Sequence, residues 1–388
     1  MKILMLTSRF GFGYGMGYSA FKEATALTSL GHFVTVVHCY SDREIVHFQD
    51  PRITLIHVPM KKIPVIGFLL YVFILKKFFR DKLNMNDFDC LYIQSLEFGL
   101  LSFSKITTPI FYFARSTMRG MRLALRKEGE KISLFTRIIY LVLVALERRC
   151  MRYSKMVFVK SRKMEAEVSG LYGVSQNNIA VITGGIDEKD FQIQMDSSCV
   201  SFKRKFKIPL DIPVVLYAGR IVPQKGLSYL IESSLSLLRK INFVVVIAGA
   251  AVNEPYAAMV KRRVGDSVYR ESFHFLGHVD QQDMSLVLNS ADCLVTPSLY
   301  EPFGMVNLQA AFLNKSIITT KVTGSVDLLA NYEKIKIVNT GSSMDIELAL
   351  KEVLLLKSPT DQPPIDISAY SWKSVAEQLL WYLSLRGC

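Results

Sequence analysis

The chain has 388 residues, half of them hydrophobic, and a formal net charge of +13. That length suggests two domains with a core each, and six scattered cysteines without Cys-x-x-Cys or zinc-like spacing exclude a disulfide framework and point to a reducing cytoplasm. The charge is uneven: residues 1–185 hold 26 Lys and Arg against 13 Asp and Glu, whereas residues 186–388 hold 21 of each, so the whole excess lies in the first half.

Met1–Thr7 reads as a strand, too short before its glycines to be a signal peptide. Gly11-Phe-Gly-Tyr-Gly-Met-Gly17 follows it, and Tyr18–Leu30 reads as a helix. The position suits a dinucleotide fingerprint, but no G-x-G-x-x-G match exists, and the next strand, Phe33–His38, ends without the acidic ribose ligand. The loop still supplies backbone N–H donors at a helix start.

Next comes an apolar run between cations, from Lys61 and Lys62 to Lys76, Lys77 and Arg80. Its uncharged part, Ile63–Leu75, is 13 residues, short of the roughly 20 a spanning helix needs. It fits the surface of an anionic membrane. Arg115–Lys155 carries eleven basic and three acidic residues around the apolar Ile138–Leu146, which reads as a buried helix. No interleaved aromatic face or binding motif points to nucleic acid.

Cys90–Ile93, Ile110–Phe113 and Met156–Val159 are further apolar strands. The pattern restarts with Pro213–Tyr217, a helix at Leu227–Leu238, and strands at Phe243–Ile247, Phe273–Leu276, Cys293–Val295 and Ile317–Thr319. Continuous apolar strands alternating with helices predict parallel sheets covered on both faces. The fold class expected is therefore α/β, with two tandem Rossmann-like domains facing across a cleft. The boundaries read as 1–185, 186–369, and 370–388 for a last helix crossing back to the first domain.

Ligands of open α/β sheets bind beyond the carboxyl ends of the strands. Two loops there carry chemistry. Gly219-Arg220-Ile-Val-Pro-Gln-Lys225-Gly226 is not a Walker A loop, yet it places a planar fork and a point charge where both can grip a diphosphate. Pro297-Ser-Leu-Tyr-Glu301-Pro-Phe-Gly304-Met305 sets a carboxylate just before an apolar helix, whose free N–H groups suit an anion and whose neighbouring Glu301 suits sugar hydroxyls. Asp87-Phe-Asp89 reads as a turn, not a metal site.

These residues, with Gly277 in Phe273-His-Phe-Leu-Gly277, Thr183–Asp187 and Tyr370-Ser-Trp372, resemble the retaining GT-B glycosyltransferases of family 4. The resemblance spans nearly the whole chain, specific in 213–330 and loose in 40–150. It implies that Arg220 and Lys225 neutralise a nucleotide diphosphate and that Glu301 binds hydroxyls of the transferred hexose. It further implies that N–H groups at Phe303, Gly304 and Met305 touch the sugar or its phosphate, that Gly277 belongs to the donor site, and that Gly15 and Gly17 close over the reacting junction. Transfer would retain configuration without a metal or other cofactor. Two departures stand out. The family's Glu-x7-Glu ends here in Gln309, weakening a ribose contact by a few tenths to ~1.5 kcal/mol. Where the family often has His after the strand at 110–113, Ala114 or Arg115 stands, and Arg115 suits a phosphorylated acceptor. The expected partners are a nucleotide sugar, a glycolipid or polysaccharide, and the inner face of a cell membrane. A soluble acceptor or a non-catalytic sugar-nucleotide-binding scaffold are the alternatives.

Overall fold

The computed structural model describes residues 1–11, 15–41, 50–59, 66–127, 133–187, 195–355, 365–366 and 368–385. Gly13, Lys61 and Lys62, each part of an expectation above, lie outside these. The chain divides into two compact units: Met1–Arg122, Lys131–Ile186 and Ser368–Cys388 form the first, and Leu123–Glu130 with Asp187–Ile367 the second.

The first unit holds strands β1 (Lys2–Phe10), β2 (Phe33–Ser41), β3 (Ile53–His57), β4 (Cys90–Ile93), β5 (Ile110–Ala114), β6 (Met156–Val159) and β7 (Ile179–Val181). They form one parallel sheet in the order β3-β2-β1-β4-β5-β6-β7. Alternate side chains serve two cores. Leu4, Leu6, Leu91, Ile93 and Tyr112 point to one face, and Ile3, Met5, Tyr92, Phe111 and Phe113 to the other. Because both faces are covered, the strands read as unbroken apolar runs.

The second face is covered by α1 (Gly15–Ser29) and, from the far end of the chain, by Trp372, Val375, Ala376, Leu379 and Leu383 of the last helix. The first face is covered by α2 (Ile66–Asp81) and the later part of α4 (Leu134–Tyr153), with α3 (Met118–Lys127) and α5 (Arg162–Tyr172) completing the helices of this half of the chain. Burial of Ile138–Leu146 was expected, and here the structure differs. Leu146, Glu147, Cys150 and Met151 are buried, but Leu134, Phe135, Ile138, Leu141 and Val142 are exposed. At 20 residues α4 is about 30 Å long, whereas the five-residue β5 beneath spans about 17 Å. The helix overruns that strand, and the apolar residues it exposes lie on the side opposite Cys150 and Met151, which pack on the sheet.

The second unit repeats the plan. Its strands are β8 (Val214–Ala218), β9 (Val244–Ala248), β10 (Phe273–Gly277), β11 (Cys293–Thr296), β12 (Ser316–Thr320) and β13 (Ile335–Val338), parallel in the order β10-β9-β8-β11-β12-β13. Helices α6 (Met195–Lys205), α7 (Leu227–Leu237), α8 (Glu254–Gly265), α9 (Gln281–Asn289), α10 (Met305–Phe312) and α11 (Ser343–Leu355) accompany it, and α12 (Trp372–Leu385) is the helix packed on the first unit. β3, β7 and β13 had no clear sequence signal. Each is an edge strand, and β3 and β13 are largely half-exposed, so an unbroken apolar run is not required of them.

Candidate active site

In the second sheet the chain runs outward through β9 and β10, then returns to place β11 beside β8. Adjacent central strands whose connections leave in opposite directions open a crevice at their carboxyl ends. The Arg220–Lys225 loop follows β8, and the Glu301 loop follows β11. The two loops at that crevice are thus the two that the sequence marked.

They are joined as one device. The Gln224 carbonyl accepts from Leu299 N at 2.8 Å and Tyr300 N at 3.3 Å. Lys225 Nζ donates to Glu301 Oε2 in an ion pair whose side chains are 19% and 15% exposed. Gly226 makes the close approach possible: its φ is +67°, and a Cβ there would overlap the Pro297 carbonyl oxygen. Arg220 is exposed beside them, its carbonyl held by Tyr217 Oη at 2.8 Å. Burial keeps that phenol's pKa well above its ordinary value.

The Glu301 loop is fixed on its other side as well. Gly324 N donates to the Glu301 carbonyl at 3.0 Å and Ser325 N to the Phe303 carbonyl at 2.6 Å. Gly304, at φ +89°, turns the chain into α10, whose first two N–H groups, at Met305 and Val306, have no acceptor within the helix, while Asn307 N donates to the Gly304 carbonyl at 3.0 Å. Phe303 is buried beneath. A buried polar network that the sequence did not advertise pins α10 to β11 and β12. Thr296 Oγ1 donates to Asn307 Oδ1 at 2.9 Å, and Asn307 Nδ2 to Thr319 Oγ1 at 3.0 Å. A faint signal existed, in threonines closing two apolar strands. Gln309 stands one turn after Met305 on α10 and is largely buried. Gly277 closes β10 at φ +72°, exposed, its carbonyl accepting from Gly249 N at 2.7 Å. Arg220, Lys225, Glu301, Gly304 and Met305 therefore share one end of the sheet.

In the first unit, Gly15 opens α1 and is exposed, while Gly17 is buried with its carbonyl accepting from Gly11 N at 3.3 Å. Arg115, expected to serve a phosphorylated acceptor, is buried. It is 6% exposed, with Nη2 bonded to Glu23 Oε1 at 2.8 Å and to Gln94 Oε1 at 2.9 Å. Its guanidinium lies 4.7 Å from the Phe113 ring centroid. The cause is Glu23 of α1, which roofs the ends of β4 and β5 and also accepts from Tyr92 Oη and Gln94 Nε2. Sequence offered no hint of a partner 92 residues away. Arg115 Nε and Nη1 remain without a hydrogen-bond partner.

Among the described residues no three His, Cys, Asp or Glu side chains are grouped to hold a metal ion. The described cysteines are free thiols, and burial pushes Cys39 and Cys90 up to about 12, far from nucleophilic use.

Residues 201–364 match the family model for glycosyl transferases group 1, and residues 14–190 match that for glycosyltransferase family 4. An uncharacterized glycosyltransferase of Methanocaldococcus jannaschii is 29% identical over 177 residues, 45% of each chain. The chain spans about half the length of the curated relatives it matches. Among solved structures, a sucrose-phosphate synthase from Thermosynechococcus elongatus superposes with a TM-score of 0.79 at 18% identity over 99% of both chains. HepE of Anabaena, solved with UDP-glucose, gives 0.75 at 15% identity over 99% of this chain and 100% of its own. These two likenesses speak to the fold. With both halves matched by models of one enzyme group and both sheets in Rossmann order, the chain belongs to the group 1, family 4 glycosyltransferases of the GT-B fold.

Proposed function

We propose that this chain moves a hexosyl group from a nucleoside diphosphate sugar to a membrane-associated glycolipid or polysaccharide, with retention and without a metal ion. The observation that carries the donor half is the convergence of Lys225 and Glu301 from the loops after β8 and β11. A diphosphate would be gripped by Arg220 and Lys225, and the start of α10 would face it with free N–H groups. As the anomeric C–O bond breaks, its electron pair goes to the departing phosphate, whose growing charge these groups stabilise. The acceptor hydroxyl forms the new C–O bond on the same face and gives its proton to that phosphate. Glu301 orients the sugar by accepting from its hydroxyls. Lys225 then has two partners in turn, Glu301 before the donor arrives and phosphate afterwards. On the acceptor side, Arg115, buried against Glu23 and Gln94, would position the loop after β5 and not touch the acceptor itself.

The membrane half of the reading rests on the charge confined to residues 1–185 and on α2, where Phe73, Lys76 and Lys77 are exposed. No helix among the described residues is long and apolar enough to cross a membrane, so attachment is peripheral in this reading, on the cytoplasmic face.

Thermal-shift titration with a panel of nucleoside diphosphate sugars tests the donor assignment. One donor raises Tm in the wild type and fails to do so in Arg220→Ala and Glu301→Ala. If no member of the panel shifts Tm, the reading falls. Donor binding without transfer to lipid-linked, polymeric or soluble sugars favours the scaffold, and transfer to soluble sugars alone favours the soluble acceptor.

A further inference from the structure

The exposed side of α4 is where the molecule departs most from an ordinary water-facing surface. Leu134, Phe135, Ile138, Leu141 and Val142 are 74%, 60%, 55%, 64% and 45% exposed. At about 100° per residue these five positions fall within a sector of roughly 120°. A helix lying on a sheet normally presents polar residues on that side. The cations that α4 exposes in or near this sector are Arg137, Arg148, Arg149 and Arg152, Arg149 also bonding to the Gly99 and Leu101 carbonyls, and its single carboxylate, Glu147, is buried. On the same face of the sheet, α2 buries Tyr71, Leu75 and Phe79 and exposes Phe73 (73%) beside Lys76 and Lys77.

We infer that the outward side of α4 docks on an anionic bilayer, placing Leu134, Phe135, Ile138, Leu141 and Val142 at the acyl boundary with Arg137, Arg148 and Arg152 among the headgroups. An apolar stripe edged by cations suits that interface in both polarity and charge. A second copy of the chain suits it less. A two-fold contact sets one surface against itself, which would bring cations toward cations with no carboxylate exposed on α4 to pair them. The inference deepens the proposed membrane acceptor by naming the docking element, and it moves the insertion face from α2 to α4.

Flotation of the full chain with phosphatidylcholine vesicles, with and without phosphatidylglycerol, reads the inference directly. Wild type should float with the anionic vesicles. Phe135→Ser/Ile138→Ser/Leu141→Ser should lose partitioning by at least about 10-fold, and Arg148→Gln/Arg152→Gln should lose the preference for phosphatidylglycerol. All three changed apolar side chains are more than half exposed, so circular dichroism and the donor-induced Tm shift should match wild type. In Phe135→Trp, brominated acyl chains should quench the new fluorophore. The inference is overturned by equal flotation of the triple-serine variant, by absence of quenching, or by sedimentation showing that the variant loses self-association and not vesicle binding. Donor binding is read separately, so its failure would sink the proposed function while leaving the vesicle result to be judged by itself.

Discussion

Gly226→Ala is the substitution that tests most sharply whether the two loops of the proposed donor site act as one device. Two costs follow from the structure. The position sits at φ +67°, where an L side chain loses roughly 1–2 kcal/mol. The new Cβ would also overlap the Pro297 carbonyl, so the Pro297 backbone must retreat by about 1 Å or more to recover ordinary contact. That retreat pulls directly on the bonds from Leu299 N and Tyr300 N to the Gln224 carbonyl, and through them on the Lys225–Glu301 pair. Misplacement on the order of 1 Å at a reacting site typically costs about 10²-fold in rate. Urea unfolding should therefore show a loss of about 1–3 kcal/mol, and kcat/KM for sugar transfer should fall on the order of 10²-fold. Stability and rate must be measured on the same preparation. A variant that loses the stability but transfers sugar at the wild-type rate would refute the idea that Gly226 sets the spacing of Lys225 and Glu301.

Burial raises Glu147 from its ordinary 4.5 to about 7, against the bonds from Tyr172 Oη and Met118 N that favour its ionised form. Between pH 4.5 and 7 the native state keeps a proton the unfolded chain releases, so stability falls as pH rises through that window, by about 3 kcal/mol in all. Glu147→Gln should flatten this slope in urea melts, being more stable than wild type at pH 8 relative to pH 5; a parallel loss at every pH would contradict it. Trp372 is buried against Gly185 and edge-on to Tyr18 at 6.3 Å, so Trp372→Ala should cost about 3–5 kcal/mol in unfolding. A cost under about 1 kcal/mol would mean that α12 adds little to its unit. Gly170 lies exposed within α5 with nothing near its absent Cβ, so Gly170→Ala should raise stability by about 0.5–1 kcal/mol, checked by Tm.

The residues of the proposed donor site stand out in the sequence because their signals are local. Arg220 and Lys225 follow an apolar strand, and Glu301 precedes an apolar helix, so each must stand at a strand's carboxyl end whatever the rest of the chain does. The parallel sheets were legible for the same reason, since β1, β4, β5, β6, β8, β9 and β11 are buried on both sides and cannot carry alternating polar residues. What tertiary structure alone decided depends on which distant elements meet. Lys225 finds Glu301 across 76 residues because β11 returns to lie beside β8. Arg115 turns inward because α1 brings Glu23 over the ends of β4 and β5. The apolar stripe of α4 faces outward because the opposite side, with Cys150 and Met151, is the one that packs on the sheet. Hydrophobicity along a helix says that a surface should be covered, and only the lengths and order of its neighbours determine whether protein is there to cover it.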